Sequence, residues 1–252
     1  MEHIYLDNSA TTRLDDEVLK EMMPYLTEEY GNASSIYKLG RNTRNAVETA
    51  REKIAKAINA EPDEIYFTSG GTESDNTAIR GIAYNNKKKG NHIITSKIEH
   101  PAILETCKQL EKEGFEITYL NVDKNGIIDF EQLKNSIKET TILISIMFAN
   151  NEIGTIQPIK EIGTIARENN IYFHTDSVQA VGSLKIDVKE MNIDSLSMSA
   201  HKFYGPKGIG VLYVKKGIIF QKFMNGGHQE RNKRAGTENV PAIVGMGKAI
   251  EI

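Results

Sequence analysis

Between Asp194 and Val214 two apolar runs bracket a polar loop rich in glycine. Residues 195–198 read as a buried strand ending, and residues 209–214 as the next strand. Ser199, His201 and Lys202 stand between them, with Gly205, Pro206, Gly208 and Gly210 close behind. A lysine on a tight connection between two buried strands is held near the core. Burial lowers its pKa, and an amine that can lose its proton can form a Schiff base. The plainer alternative is a surface lysine in a β-turn, and composition alone favours it.

The residues that follow the other apolar runs change that balance. Ligands of parallel α/β sheets bind at the carboxyl ends of the strands. Ile65-Tyr-Phe-Thr68 is followed by Ser69-Gly-Gly-Thr72 at a helix start, where backbone N–H groups and the Thr72 hydroxyl suit a phosphate. An ordinary strand-to-helix turn has the same composition. The stretch is neither a Walker A loop nor a GxGxxG fingerprint, which argues against nucleoside triphosphates and nicotinamide dinucleotides. Residues 92–96 lead to Glu99-His100-Pro101, where His100 could stack on a flat ring, move a proton or cap a helix. Residues 141–148 lead to Asn150 and Asn151; an amide can bond a phenolic oxygen, and Asn-Asn is also plain turn chemistry. Residues 171–175 lead to Asp176 and Gln179. A carboxylate there can hold a pyridinium N–H and keep a pyridoxal ring protonated as an electron sink, or it can cap a helix. Phosphate cradle, ring-stacking histidine, amide, ring-nitrogen carboxylate and Schiff-base lysine thus follow successive strands. Each is weak alone; together they describe a pyridoxal phosphate site.

The elements that must position these residues alternate. Strands at residues 65–68, 92–96, 115–122, 141–148, 171–175, 195–198 and 209–214 are separated by helices expected from Ser69–Ser74 to about Tyr84, at 101–113, 129–137 and 158–169. That order predicts an α/β fold: a mainly parallel sheet with helices on both faces, an α/β/α sandwich. The run 141–148 is strongly apolar, as for a strand buried on both faces. Before the sheet, Asp15 or Asp16 can cap a helix reaching about Leu26, and residues 43–58 carry one apolar helical stripe. Residues 4–6 form a short apolar start, and 7–13 read as a loop. Residues 239–252 open an amphipathic helix with no stop signal, from which a further segment is expected.

The chain has 252 residues, 26% charged and 39% hydrophobic, with a net charge of −3. That is an ordinary globular composition, with no reason to expect nucleic acid or a membrane as partner. The N-terminus lacks a signal-like core, and the cytoplasm is the expected compartment. A single cysteine, Cys107, excludes an intramolecular disulfide and a multi-cysteine metal site, and the six histidines show no zinc spacing. No metal is expected.

With these residues in view, the chain resembles the cysteine desulfurases of the NifS/IscS type, in the class V aminotransferase group of fold-type I PLP enzymes. The matching stretches are Tyr5-Leu-Asp-Asn-Ser-Ala-Thr-Thr12, Phe67-Thr-Ser-Gly-Gly-Thr-Glu-Ser-Asp-Asn76, Glu99-His100, Asn150-Asn-Glu-Ile-Gly154 and His174-Thr-Asp-Ser-Val-Gln179. They continue with Ser199-Ala-His-Lys-Phe-Tyr-Gly-Pro-Lys-Gly-Ile-Gly210 and Arg234-Ala-Gly-Thr-Glu-Asn239. The resemblance implies that Lys202 binds the cofactor covalently and shuttles a proton. It implies that His100 stacks on the ring and serves as acid/base, that Asp176 pairs with the ring nitrogen, and that Gln179 and Asn151 bond the phenolic oxygen. Gly71, Thr72, Ser199 and His201 would hold the phosphate. Thr237 is similar to a threonine that reaches the neighbouring subunit's cofactor, which implies a homodimer. The implied reaction turns L-cysteine into alanine and leaves an enzyme persulfide for iron–sulfur cluster assembly and tRNA thiolation, with sulfur-acceptor scaffold proteins as partners. The family's persulfide cysteine and its carboxylate-binding arginine lie beyond residue 252. The expectation is therefore that residues 1–252 are mostly the large cofactor domain with its N-terminal segment, without the small C-terminal domain, and inactive alone. A selenocysteine lyase, an aminotransferase of the same group, and a non-catalytic dimerising fragment are the alternatives.

Overall fold

Along residues 93–94, 143–144 and 211–214 of the inner strands, neighbouring residues belong to opposite apolar layers. Ile93, Leu143, Leu212 and Val214 pack into one core cluster, and Ile94, Ile144, Val211 and Tyr213 into the other. A side-chain period of two sends successive residues to opposite faces. Both faces are apolar there because both are covered, and this is why these stretches carry adjacent hydrophobic residues rather than a polar alternation.

The computed structural model describes residues 4–252, so Met1 to His3 of the N-terminal stretch lie outside it. The strands are β1 (Ile65–Thr68), β2 (His92–Ser96), β3 (Glu116–Leu120), β4 (Thr141–Ser145), β5 (Tyr172–Asp176), β6 (Ser195–Ser199) and β7 (Gly210–Val214). They form one sheet in the order β1-β7-β6-β5-β4-β2-β3. β7 runs antiparallel to both neighbours and the remaining pairs are parallel. The helices are α1 (Asp16–Thr27), α2 (Lys38–Ala57), α3 (Gly71–Asn86), α4 (Pro101–Lys112), α5 (Phe130–Ser136), α6 (Ile159–Glu168), the short turn α7 (Gln229–Asn232) and α8 (Val240–Ala249). Ala78, Ile79 and Ile82 of α3, with Ile103, Cys107 and Leu110 of α4, build one layer. Side chains of α1, α2, α5, α6 and α8 build the other. The predicted α/β/α sandwich is the observed one.

Element boundaries differ from the sequence reading in ways that have local causes. α1 is capped by Asp15, whose carboxylate accepts the Glu17 N–H at 2.8 Å. α2 starts at Lys38, earlier than the apolar stripe that begins at Thr43, because Gly40 lets the first turn press on the preceding loop. A Cβ there would stand 2.5 Å from the Ser35 carbonyl oxygen. The long apolar run 141–148 is split: the ladder proper ends at Ser145, and Ile146 and Phe148 continue it through N–H bonds to the carbonyls of His174 and Asp176. The apolar start 4–6 joins no strand, and Ile4, Tyr5 and Leu6 are exposed.

Because β7 is antiparallel to β1 and to β6, the carboxyl ends of β1 and β6 lie side by side. Thr68 and Ser199 both pair with Gly210. Gly210 is required there, since a Cβ would meet the Gly70 backbone at 2.6 Å. The loop after β1 is thereby drawn against the loop after β6, at the end of the sheet where β2, β4 and β5 also finish.

Candidate active site

At this carboxyl end the chain leaves an open cleft of about 600 Å³. Gly71, Thr72, His100, Asn151, Asp176, Gln179, Ser199, His201 and Lys202 all line it. Five separate loops or strand ends, spread over more than half the chain, deliver these residues to one place. Thr237 does not line it; it sits exposed on the segment between α7 and α8.

Lys202 ends a short 3-10 turn, Ala200–Lys202, between β6 and β7. Burial lowers its pKa, against the raising influence of Asp176 and then Asp7. Its ammonium donates to the carbonyl oxygens of Ser9 and, at 2.9 Å, Ala10. Gln179 also donates to Ser9 O at 2.9 Å, and His201 Nδ1 lies 3.1 Å from the Thr11 hydroxyl. The N-terminal loop thus closes one wall. Burial depresses the His201 pKa, and Lys202 and Lys207 depress it further. A neutral imidazole there offers a hydrogen bond rather than a charge.

The opposite wall is the N-terminus of α3. Gly71 opens this helix, and its backbone lies so close to Val178 that an added Cβ would stand 2.6 Å from Val178 Cγ2. Free N–H groups at a helix start, beside the hydroxyls of Thr72 and Ser199, form a cradle suited to an anion. Glu73 does not compete for it. That carboxylate is turned away, accepting the Ser69 N–H at 2.7 Å and the Arg234 guanidinium at 2.9 and 3.1 Å. Although burial opposes it, these bonds hold the Glu73 pKa below its ordinary value.

His100 caps α4 by accepting the Ala102 N–H on Nδ1 at 3.1 Å. Its ring also lines the cleft. The cap and a place in the cleft, which the sequence offered as alternatives, coexist here. Asp176 likewise accepts the Val178 N–H at 2.9 Å while lining the floor. Burial raises its pKa, offset by that N–H and by His100 and Lys202.

Ser9, Ala10, Asp75, Met147 and Val178 also line the cleft and were not among the predicted site residues. Asp75 had a signal: it falls in the stripe Asp75, Ala78, Ile79, Ile82 of α3, where an unpaired carboxylate does not belong. Glu99, beneath His100, is also buried. It accepts the Ser96 hydroxyl at 2.6 Å and the Met147 N–H at 3.0 Å, and burial pushes its pKa up to about 8.

Residues 4–252 match the family model described as aminotransferase class-V. The chain belongs to the class-V aminotransferase family. Within it, the chain is 64% identical over 249 residues to "Cysteine desulfurase IscS" of Clostridium botulinum (strain Hall), covering 99% of this chain and 63% of that relative. It is 62% identical to the protein of the same name from Methanosarcina thermophila, covering 99% and 62%. The chain therefore spans under two thirds of these relatives' length. Among solved structures, a "NIFS-LIKE PROTEIN" superposes with a TM-score of 0.97 at 44% identity, over 99% of this chain and 69% of that one. "SspA in complex with cysteine" superposes with a TM-score of 0.96 at 44% identity, over 99% and 72%. The family resemblance read from the motifs is the family found, on its NifS/IscS-like side.

The donor set fits pyridoxal 5'-phosphate. An anion cradle at the α3 N-terminus, packed against Val178 where Gly71 has no Cβ to clash, stands beside a lysine with a lowered pKa, and a carboxylate lies buried at the floor.

Proposed function

We propose that the cleft holds pyridoxal 5'-phosphate on Lys202 and serves the desulfurisation of L-cysteine. The observation that carries this reading is the convergence of Lys202, Asp176, His100 and the α3 N-terminus on one cleft. When bound, the cofactor supplies an electron sink for the bonds at the substrate's α and β carbons. The chain's own residues do the rest. The N–H groups at Gly71 and Thr72, with Ser199 and His201, hold the phosphate. Asp176 keeps the ring nitrogen protonated by its charge. Asn151 and Gln179 bond the phenolic oxygen. Lys202, freed from the carbonyls of Ser9 and Ala10, moves the proton at the substrate's α carbon, and His100 Nε2 exchanges protons with the substrate. The overall change is cysteine plus a protein thiol giving alanine plus a protein persulfide. The thiolate attacks the substrate's sulfur, the C–S bond breaks, and its electron pair and a proton end on carbon.

That thiol is not Cys107. It is fully buried on α4, and burial, with Glu99 and Glu111 nearby, pushes its pKa up to about 12. We assign residues 1–252 mostly to the large cofactor-binding domain of a longer protein with a small C-terminal domain, in keeping with the 63% coverage of the relative. A cytoplasmic homodimer, to which Thr237 contributes across the interface, and sulfur-acceptor scaffold proteins complete the reading. No helix among the described residues is long and apolar enough to cross a membrane. The test is cofactor titration, followed by visible absorption: a new band that Lys202→Ala lacks supports the reading, and a spectrum identical to free cofactor overturns it.

A further inference from the structure

The floor of the cleft and the buried layer next to it hold more carboxylates than cations to match. Asp75, Asp176 and Glu99 are 1%, 6% and 5% exposed. One carboxylate oxygen each of Asp75 and Asp176 and a ring nitrogen of His100 all lie within 4.8 Å of one another. Two carboxylates this close and away from water do not both ionise; one keeps a proton.

Their surroundings decide which. Asp176 accepts the Val178 N–H and faces His100 and Lys202, and all three favour its charged form. Asp75 has less support and no cation among its partners. Its Oδ1 has no hydrogen-bond partner. The base nearest to that oxygen, His174 Nε2 at 3.6 Å, belongs to a ring whose pKa burial pushes down to about 3, so it is neutral. That ring is already engaged by Ser145 Oγ at 2.9 Å and Ser197 Oγ at 3.1 Å. Burial disfavours the charged form of Asp75, and so does Asp176, of its own sign; the Ser197 hydroxyl, a single hydrogen bond, is what favours it.

We propose that Asp75 is a positioning residue: it stays a neutral carboxylic acid beside Asp176, so that the pair carries one negative charge, all on the carboxylate that meets the cofactor's ring nitrogen. The inference rests on the pyridoxal phosphate reading of the cleft. No bond is made or broken. The single charge of Asp176 is matched by the single charge of a ring N–H, and the floor is neutral. With Asp75 ionised, a second buried charge would stand unmatched.

The infrared spectrum of the unloaded protein at neutral pH tests the protonation directly, with no ligand. The expected result is a carbonyl stretch of buried carboxylic acid. One component shifts on isotopic labelling of aspartate carboxyls and is absent in Asp75→Asn, while a second is absent in Glu99→Gln. The labelled wild-type protein reports an aspartic acid even if a variant does not fold. The second arm uses 4'-deoxypyridoxine 5'-phosphate, which has no aldehyde and cannot react with Lys202. Asp75→Asn, isosteric with the neutral acid, should bind it within about threefold of wild type, whereas Asp176→Asn should lose about tenfold or more. On raising the pH, the bound ring's absorbance should show a titration step in wild type that Asp75→Asn lacks. No label-sensitive acid band, or a loss in Asp75→Asn equal to that in Asp176→Asn, overturns the proposal. Failure of wild type to bind the probe overturns the cofactor reading instead, while the infrared band still decides the state of Asp75.

Discussion

Glu99 shows at the scale of one residue how burial writes a pH dependence into the protein. Its carboxyl is lifted from an ordinary value of 4.5 to about 8, chiefly by burial. Between these values the folded state holds a proton that the unfolded state has lost. Stability from this group is therefore present below about pH 4.5 and is lost as pH rises through about 8. Glutamine mimics the protonated acid. Glu99→Gln should match wild type near pH 5 and exceed it by about 2 to 4 kcal/mol near pH 9, an order-of-magnitude figure from the width of that window. Thermal unfolding across pH checks this; a gap that does not change with pH would count against it. Gly71 makes a second residue-scale point. Gly71→Ala puts a methyl 2.6 Å from Val178 Cγ2, which should cost about 1 to 3 kcal/mol through overpacking. It should also weaken phosphate-bearing ligands relative to a cofactor analogue without phosphate. Urea unfolding and a paired titration read the two effects separately.

Among the elements, β1 and β3 stand at the margins of the sheet, and β1 shows how such a margin is secured. It is an edge strand, pairing only with β7, and its outward backbone groups would template another chain. Side chains cover them instead. The Ile65 carbonyl accepts Arg51 at 2.7 Å and Arg231 at 2.6 Å, and the Phe67 N–H donates to Glu230 at 2.8 Å. Arg51 and Glu230 themselves form a buried bidentate pair at 2.7 and 2.9 Å. This anchoring holds Glu230, Arg231 and Asn232 at φ of 45°, 55° and 64°, a left-handed run costing about 1 to 3 kcal/mol per residue. Breaking the pair with Glu230→Gln leaves Arg51 buried with only the half-exposed Glu48 carboxylate, at 3.1 Å, as its anion and should cost about 2 to 4 kcal/mol in chemical denaturation. A cost below about 1 kcal/mol would show that the pair does not fasten the edge.

None of this was legible from local sequence. Arg51 looked like one charge on the polar face of a helix, and its partner lies 179 residues away. The helices and strands themselves were legible, because two covered faces leave apolar runs of period two and 3.6. Boundaries at α2 and β4 shifted where the close approach of Gly40 to Ser35 and the bonds of residues 146 and 148 to strand β5 took over. The predicted site residues at strand ends were legible because the parallel topology gathers those ends together. Ser9 and Ala10 were not assigned a place, since they act through backbone carbonyls that any residue type provides. Asp75 was the exception that the helical stripe already marked.

At the scale of the whole molecule, the fold brings a lysine, a carboxylate, a histidine and an anion cradle into one cleft, while its one thiol stays in the core. The two facts together predict a chain that binds pyridoxal phosphate and does not complete sulfur transfer. Incubation with L-cysteine should yield no protein-dependent alanine at ordinary enzyme rates, checked by amino-acid analysis. Sustained turnover would mean that Cys107, or some other acceptor, receives the sulfur.

The central claim is that Lys202 holds the cofactor in this cleft, and the visible absorption spectrum tests it most directly. Purified protein mixed with pyridoxal 5'-phosphate and freed of excess should show the band of a lysine-bound cofactor, and Lys202→Ala treated alike should show none. A band of equal strength in Lys202→Ala, or no band in either protein, would contradict the account.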